Sequence, residues 1–230
     1  MNAVAREEKK FLLNIEEYRR KSHFLDAFMI QDAHNGTQGY RVRSLYFDTI
    51  YDDDFFEKMD GLELRKKLRL RIYDPKNDFA VLEIKQKQGA AQLKRSLRLN
   101  REEAQALIAG DYAPLLRYNE DFARECYALM HTKCYRPKTI VEYKRKAYIA
   151  KENKIRVTFD SEITATESCF DLFSEKLLLN PVMDRFSAVM EVKFNGFLLD
   201  YIRQLINSVN KSELSVSKYM LARQQSYREY

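Results

Sequence analysis

Lysines and arginines recur at every second position along three neighbouring runs of this sequence. The repeating basic positions are Lys67, Arg69, Arg71, Lys85, Lys87 and Lys94. Arginine binds a phosphate through two parallel hydrogen bonds, whereas lysine acts as a mobile point charge. The spacing therefore indicates chemistry on a polyanion.

Three β-strands would position these side chains. A strand sends alternate side chains to opposite faces, so each run has one cationic face and one apolar face. Turn-forming residues at 74–78 and at Gln88–Gly89 separate the runs. A solvated face would also carry polar residues, but it usually mixes both signs, and like charges opposite each other destabilise a sheet. The uniform positive sign favours the alternative, a polyanion bound to this face.

The composition fits a single domain over residues 1–230 that binds anions. Apolar residues make up 45% of the chain, which suffices for a core. The net charge of +6 and the pI of about 9.0 make nucleic acid, phosphorylated small molecules, polyphosphate and an acidic membrane surface candidate partners. Three cysteines without a C-x-x-C pair argue against a disulfide framework, and three scattered histidines argue against a zinc site. We expect a cytoplasmic protein, because the cysteine pattern suits a reducing cytosol. No membrane span is expected, because no apolar run approaches about 20 residues.

Two common kinds of catalytic or phosphate-binding site are excluded. None of the six glycines forms G-x-x-x-x-G-K-[ST] or G-x-G-x-x-G. The sequence presents no Ser/His/Asp or Cys/His arrangement for nucleophilic catalysis. Side chains, rather than a glycine-rich backbone cradle, must therefore bind any phosphate.

The remaining elements alternate between strands and helices. Asn14 and Asn100 are predicted N-caps, because helical spacing of apolar residues follows each of them. Further strands are predicted at 6–13, 40–49, 139–150, 154–160, 171–180 and 188–196, and further helices at 51–60, 115–131, 197–209 and 216–228. Eight or nine strands with interspersed helices indicate an α+β domain dominated by one antiparallel sheet. Closing that sheet into a barrel would satisfy both faces, because the charged face would line a tunnel.

Seven motifs, in order along the chain, carry a resemblance to a known family. They are RVRSLYFDT, DGLELRKKLRLRIY, FAVLEIKQK, VEYKRKAY, RVTFD, MEVKFNG and LSVSKYMLAR. From Glu8 to about Arg223 the chain resembles the VTC domain, the polyphosphate polymerase branch of the triphosphate tunnel metalloenzymes. The resemblance implies an antiparallel eight-stranded β-barrel, or tunnel, flanked by helices. It also implies that the tunnel binds the triphosphate of a nucleotide with one divalent metal, Mn²⁺ or Mg²⁺.

The resemblance also implies roles for individual residues. Catalytic roles fall to Arg69, Arg71, Lys85 and Arg145. Substrate binding falls to Lys10, Lys87, Lys94, Tyr143, Lys193, Ser217 and Lys218. Metal binding falls to Glu191 and Glu8. The assignment of Lys94 departs from the family pattern, since the KRR-like run reads KRSLR here. Alternation alone leaves open which face of the strand at 139–150 points inward. The resemblance resolves this, because its Tyr143-x-Arg145 motif implies that these two side chains point into the tunnel.

The function implied is an ATP-dependent polyphosphate polymerase that releases ADP. A triphosphatase or cyclase of the related CYTH branch would carry E-x-E-x-K in the first strand, where this chain has Arg6-x-Glu8-x-Lys10. The missing acid favours the polymerase. A third hypothesis is a non-catalytic binder of polyphosphate, inositol phosphates or nucleic acid. Nucleic acid is not expected, because no RNA-binding motif or recognition helix is present. Association with a membrane complex and the oligomeric state stay open.

Overall fold

A computed structural model describes residues 6–89, 91–208 and 217–228. The described strands are β1 (Arg6–Asn14), β2 (Ile30–Gln31), β3 (Tyr40–Asp48), β4 (Leu64–Ile72), β5 (Phe79–Gln88), β6 (Ala91–Asn100), β7 (Arg136–Ile149), β8 (Arg156–Thr166), β9 (Asn180–Pro181) and β10 (Ser187–Asn195). The described α-helices are α1 (Ile15–Phe28), α2 (Asp53–Met59), α3 (Arg101–Ala109), α4 (Asp121–Thr132), α5 (Asp200–Asn207) and α6 (Lys218–Arg228). Within these ranges, no helix has both the length and the apolar character needed to cross a membrane.

The strands form one mostly antiparallel sheet. Its order is β1-β10-β8-β7-β3-β4-β5-β6, with β2 paired to β7 and β9 paired to β8. The α+β class and the flanking helices are confirmed. The predicted eight-stranded barrel is corrected, since the described strands number ten and do not close into a barrel. Alternation along a strand predicts which face is charged, but closure depends on whether the terminal strands pair, which no local pattern encodes.

Two compact units divide the chain. The first comprises the described parts of 1–41, 143–163 and 181–217, and the second those of 42–142, 164–180 and 218–230. Strands β3, β7 and β8 contribute residues to both units. Each unit has a hydrophobic core of its own. The single domain over 1–230 stays a prediction.

In the second unit, the register of β3 to β6 sorts side chains into rows across the sheet. One face carries the rows Ser44–Arg71–Val81–Arg98, Tyr46–Arg69–Glu83–Ser96 and Lys67–Lys85–Lys94. The opposite face carries the rows Leu45–Leu70–Leu82–Leu97 and Phe47–Leu68–Ile84. The aliphatic rows are buried in the core of this unit. The predicted split into one charged and one apolar face is therefore confirmed.

Local signals in the second unit succeed at the start of α3 and fail at two other segments. Asn100 caps α3 and forms a reciprocal capping box with Glu103. The helix predicted at 115–131 is interrupted, because a 3-10 turn with Pro114 ends before an extended Tyr118 and α4 begins only at Asp121. The strand predicted at 171–180 is wrong, apart from its last residue. Its Leu172 and Ser174 carbonyl groups accept hydrogen bonds from Arg43 instead of pairing in a ladder.

The first unit packs α1 and α5 against the apolar face of β1, β10 and β8. Phe11, Met190 and Phe159 are neighbours across these strands and lie in its core. Asn14 caps α1, as predicted, and also forms a capping box with Glu17. The opposite face carries the rows Lys10–Glu191–Thr158 and Glu8–Lys193–Arg156.

Candidate functional site

Glu83 lies among three of the predicted phosphate-binding cations of the second unit. Its Oε2 accepts from Arg69 Nε at 2.8 Å and Nη2 at 2.7 Å, and lies 3.5 Å from Arg71 Nη2. Its Oε1 lies 2.5 Å from Lys94 Nζ. Arg69 Nη1 also donates to the Tyr46 hydroxyl at 3.0 Å. We name Arg69, Arg71, Glu83 and Lys94 the Glu83 cluster.

The cations of the Glu83 cluster shift two pKa values. Burial alone would raise the pKa of Glu83, but Arg69, Arg71 and Lys94 outweigh it and lower that pKa to about 2. Burial would likewise raise the pKa of Tyr46, and the positive charges of Arg69 and Arg71 turn the shift into a lowering. The cations of this face therefore stabilise the ionised forms of Glu83 and Tyr46, as they would stabilise a bound anion.

Two buried donors, one within the Glu83 cluster and one beside it, have no hydrogen-bond partner among the described residues. They are the Nε of Arg71 and the hydroxyl of Ser44. Arg71 and Ser44 are direct neighbours across β3 and β4, so both donors lie on the charged face. An unsatisfied buried donor is costly, and an oxygen-rich ligand such as phosphate would satisfy both.

The other predicted lysines of the second unit follow the same face. Lys85 lies between Lys67 and Lys94 in register, and Lys87 lies between Arg65 and Gln92. Like charges directly opposite each other on neighbouring strands repel. A polyanion would relieve this repulsion.

In the first unit, two glutamates alternate with two lysines. Lys10 Nζ lies 2.7 Å from Glu8 Oε1 and 3.9 Å from Glu191 Oε2. Lys193 Nζ lies 3.8 Å from Glu8 Oε2 and also contacts Glu191 Oε1. Both carboxylates are largely buried. We name Glu8, Lys10, Glu191 and Lys193 the Glu8–Glu191 cluster.

The Glu8–Glu191 cluster fits a divalent cation. Its two carboxylates converge on shared cations, here the ammonium groups of Lys10 and Lys193. Thr158, the neighbour of Glu191 across β8, has a buried hydroxyl oxygen without a hydrogen-bond partner among the described residues. Magnesium and manganese prefer oxygen ligands and are commonly held by one or two carboxylates plus phosphate and water. Within the described part of the chain, no group of three or more His, Cys, Asp or Glu side chains could hold a metal.

Arg145 and Tyr143 also lie in the first unit. Arg145 donates from Nε and Nη2 to the two carboxylate oxygens of Asp160, which is fully buried. Burial would lower the pKa of Arg145, but Asp160 outweighs it and holds that pKa above its usual range. The Arg145 guanidinium lies 5.3 Å from the centre of the Tyr143 ring. Because Asp160 shares the face of Glu191 on β8 and β10, Arg145 points to the charged side, which agrees with the phase taken from the motif.

The helix α6 begins at Lys218, and Ser217 immediately precedes it, half-buried. Tyr219, next to Lys218, stacks on Tyr46 with ring centres 5.2 Å apart. The Tyr219 hydroxyl donates to Asp48 at 2.5 Å. These contacts hold the start of α6 beside the Tyr46 end of the charged face, where the charge of Lys218 also contributes to lowering the pKa of Tyr46.

The predicted residues thus fall into two groups. Arg69, Arg71, Lys85, Lys87, Lys94 and Lys218 belong to the second unit, and Glu8, Lys10, Tyr143, Arg145, Glu191, Lys193 and Ser217 belong to the first. The side chain of Arg6 lies outside what the structure describes.

Sequence reasoning missed the roles of Glu83, Asp160, Ser44 and Tyr46. Alternation places Glu83 on the same strand face as Lys85, and Ser44 on the same face as Tyr46. This shared face is the one local signal that could have pointed to these residues. Their partners become visible only once the strand register is known.

Comparison with known proteins agrees with this fold. The VTC domain family matches residues 5–227. A candidate adenylate cyclase from Bacillus halodurans has a TM-score of 0.52 at 14% identity, covering 93% of this chain and 95% of that one. Another, from Vibrio parahaemolyticus, has a TM-score of 0.51 at 11% identity, covering 94% and 96%. Identities this low show a shared fold alone. The comparison with curated proteins returned no match.

Proposed function

We propose, from the premise that the chain belongs to the VTC domain family, that it is an ATP-dependent polyphosphate polymerase. It would transfer the terminal phosphate of ATP to a polyphosphate chain and release ADP. ATP and polyphosphate are then its partners, and Mn²⁺ or Mg²⁺ its cofactor.

One observation carries the proposal. In the second unit, Arg71 Nε and the Ser44 hydroxyl are buried donors without a partner among the described residues, on a face that also presents Arg69, Lys85 and Lys94. Buried donors are almost always satisfied in folded proteins. A row of phosphates supplies both acceptor oxygens for these donors and negative charge that offsets the excess of cations on this face.

The residues suit phosphoryl transfer. Its transition state is loose, so catalysis is mainly positioning and neutralisation of charge on oxygen. Glu83 and Tyr46 hold the Arg69 guanidinium in a fixed orientation on the charged face, where its positive charge can neutralise a phosphate. The acceptor is a phosphate oxygen that is already ionised at neutral pH. No side chain therefore has to remove a proton.

Glu8 and Glu191 would hold the divalent metal. When bound, such a cation neutralises charge on phosphate oxygens and orients them. With the cation in place, Lys10 and Lys193 would no longer be the partners of the two carboxylates and would be available to phosphate.

The triphosphatase hypothesis predicts a different product. A hydrolase must activate water, which usually needs a further carboxylate or a more acidic metal site. Arg6 occupies the sequence position of that acid. We therefore expect ADP and polymer, with only slow release of free phosphate, and a shift towards phosphate release in Arg6→Glu.

Incubation of the pure protein with ATP and Mn²⁺ tests the proposal. Polymer on a gel, ADP in stoichiometric amounts and the loss of both in Arg69→Ala would support it. Arg124→Ala is the matched control, because Arg124 is an exposed arginine paired only with Asp121 among the described contacts. ADP and free phosphate in equal amounts without polymer would favour the triphosphatase. Binding of polyphosphate without nucleotide turnover would favour the non-catalytic module.

A further inference from the structure

Glu83 is a buried acid at the centre of a basic face. It lies on the middle strand, β5, with Arg69 opposite it on β4 and Ser96 opposite it on β6. Its side chain is only 4% exposed. Burying a carboxylate costs free energy that a well-packed apolar residue would avoid. Packing alone therefore does not explain an acid at this position.

The two oxygens of Glu83 divide the surrounding cations between them. One oxygen accepts from both Nε and Nη2 of Arg69 and lies near Arg71, while the other forms an ion pair with Lys94. With Tyr46 on its Nη1, every nitrogen of Arg69 has a fixed partner. The carboxylate thus sets the plane of the guanidinium, which a mobile side chain on a strand would otherwise vary.

Glu83 also changes the charge of the face. The three cations Arg69, Arg71 and Lys94 carry three positive charges, and the negative charge of Glu83 offsets one of them in the net charge of the cluster. The lowered pKa of Glu83 keeps its carboxylate ionised at neutral pH. A site that passes a charged chain along must bind it firmly enough to admit it and weakly enough to release it. A polymerase has this requirement after every transfer.

We propose that Glu83 is a positioning residue that orients Arg69 and Arg71 and weakens the hold of the face on polyphosphate, so that the chain moves on after each transfer. The movement of the chain rests on the function proposed above. The effect of Glu83 on anion affinity does not.

Two pairs of variants separate charge from shape. Glu83→Gln removes the charge and keeps the size, whereas Glu83→Asp keeps the charge and shortens the reach. Ser96→Glu adds a second carboxylate beside Glu83 from an exposed position on β6. Ser96→Gln is its neutral control. Tripolyphosphate in metal-free buffer is the probe, and calorimetry gives its Kd.

Electrostatics predicts the direction of each change. Glu83→Gln should bind tripolyphosphate about tenfold more tightly or better, and Ser96→Glu about tenfold more weakly, because a charge a few ångström away acts strongly near a protein surface. Both differences should shrink at high salt. Glu83→Asp should bind tripolyphosphate with nearly the wild-type Kd, but its kcat should be lower than that of the wild type. Glu83→Gln should lower both KM for polyphosphate and kcat.

The outcomes distinguish this inference from the proposed function. A merely structural glutamate would lower the melting temperature and leave Kd unchanged, which would overturn the inference even if the wild type makes polymer. If the wild type makes no polymer but Kd shifts as expected, the polymerase fails and the effect of Glu83 on affinity stands. Should Glu83→Gln not fold, Ser96→Glu decides, since unchanged affinity there also overturns the inference.

Discussion

Arg145 and Asp160 form a two-point ion pair across β7 and β8. The Nε and Nη2 atoms of Arg145 lie 2.6 Å and 2.8 Å from the two oxygens of Asp160. Asp160 is fully buried, so the pair exists in a low dielectric and is held in one geometry. The pair fixes the plane of the Arg145 guanidinium on the charged face.

Asp160→Asn should therefore reduce turnover without any contact between Asp160 and substrate. Removing one partner of a buried pair leaves an uncompensated charge and costs about 3 kcal/mol of unfolding free energy. We expect kcat to fall about tenfold or more, because Arg145 loses its fixed orientation. Urea denaturation and steady-state kinetics measure the two effects. The double variant Asp160→Asn/Arg145→Gln should regain stability but not turnover, and recovered turnover would rule out a catalytic role for Arg145.

Arg69→Ala should abolish turnover, with a loss of about 100-fold or more. The sequence predicts that removing a cation from a like-charged face raises the melting temperature. The ion pair with Glu83 reverses that expectation for Arg69, because Glu83 would lose its closest partner. Saturating tripolyphosphate should stabilise the wild type by mass action. No change in its melting temperature would contradict an anion site on this face.

Glu191→Gln keeps the shape of the side chain and removes the charge that would hold a divalent cation. ATP turnover should fall about 100-fold at ordinary metal concentration. Metal-free binding of polyphosphate should survive or tighten, because Lys10 and Lys193 lose a neutralising partner. Titration with Mn²⁺ and calorimetry with tripolyphosphate check the two arms. Wild-type rates in Glu191→Gln would exclude this glutamate as the metal ligand.

Asp54 should make the stability of the protein fall as the pH rises towards neutrality. Burial, opposed by Lys66 and reinforced by Asp48, raises the pKa of Asp54 from 3.8 to about 7. The folded state thus holds this proton more tightly than the unfolded chain does. Its contribution to stability is complete below pH 3.8 and is lost as the pH rises through 7.

Asp54→Asn stays neutral and should flatten the dependence of unfolding free energy on pH across this window. Denaturant titrations at several pH values measure the slope. Asp121→Asn is the control, because the Asp121 side chain is 98% exposed. Equal slopes in wild type and Asp54→Asn would contradict the raised pKa.

Signals that lie within a few residues predicted much of this structure. The capping boxes of Asn14 and Asn100 need only a partner three residues on, and both are present. The alternation from Lys67 to Arg71 predicted the charged face of β4 because a strand has a period of two. These features depend on local geometry alone, which a sequence displays directly.

Features that depend on strand register could not be predicted in this way. Glu83 and Lys85 share a parity, yet Glu83 becomes the centre of a cluster because Arg69 lies opposite it. Asp160 holds Arg145 across two strands whose offset no local pattern states. Closure of the sheet also depends on strand pairing that no local pattern states. For this reason the predicted closed barrel was wrong.

The pairing of the first strand with the last has a consequence for synthesis on the ribosome. Arg6–Asn14 pairs along its length with Ser187–Asn195. The ribosome therefore releases β1 long before its partner exists, and the Glu8–Glu191 cluster cannot assemble until β10 has been synthesised. Strands β4, β5 and β6 pair with sequence neighbours and close only short loops, so they can fold early. Nascent chains arrested before residue 187 should hold a protease-resistant β4–β6 meander while β1 is still cleaved.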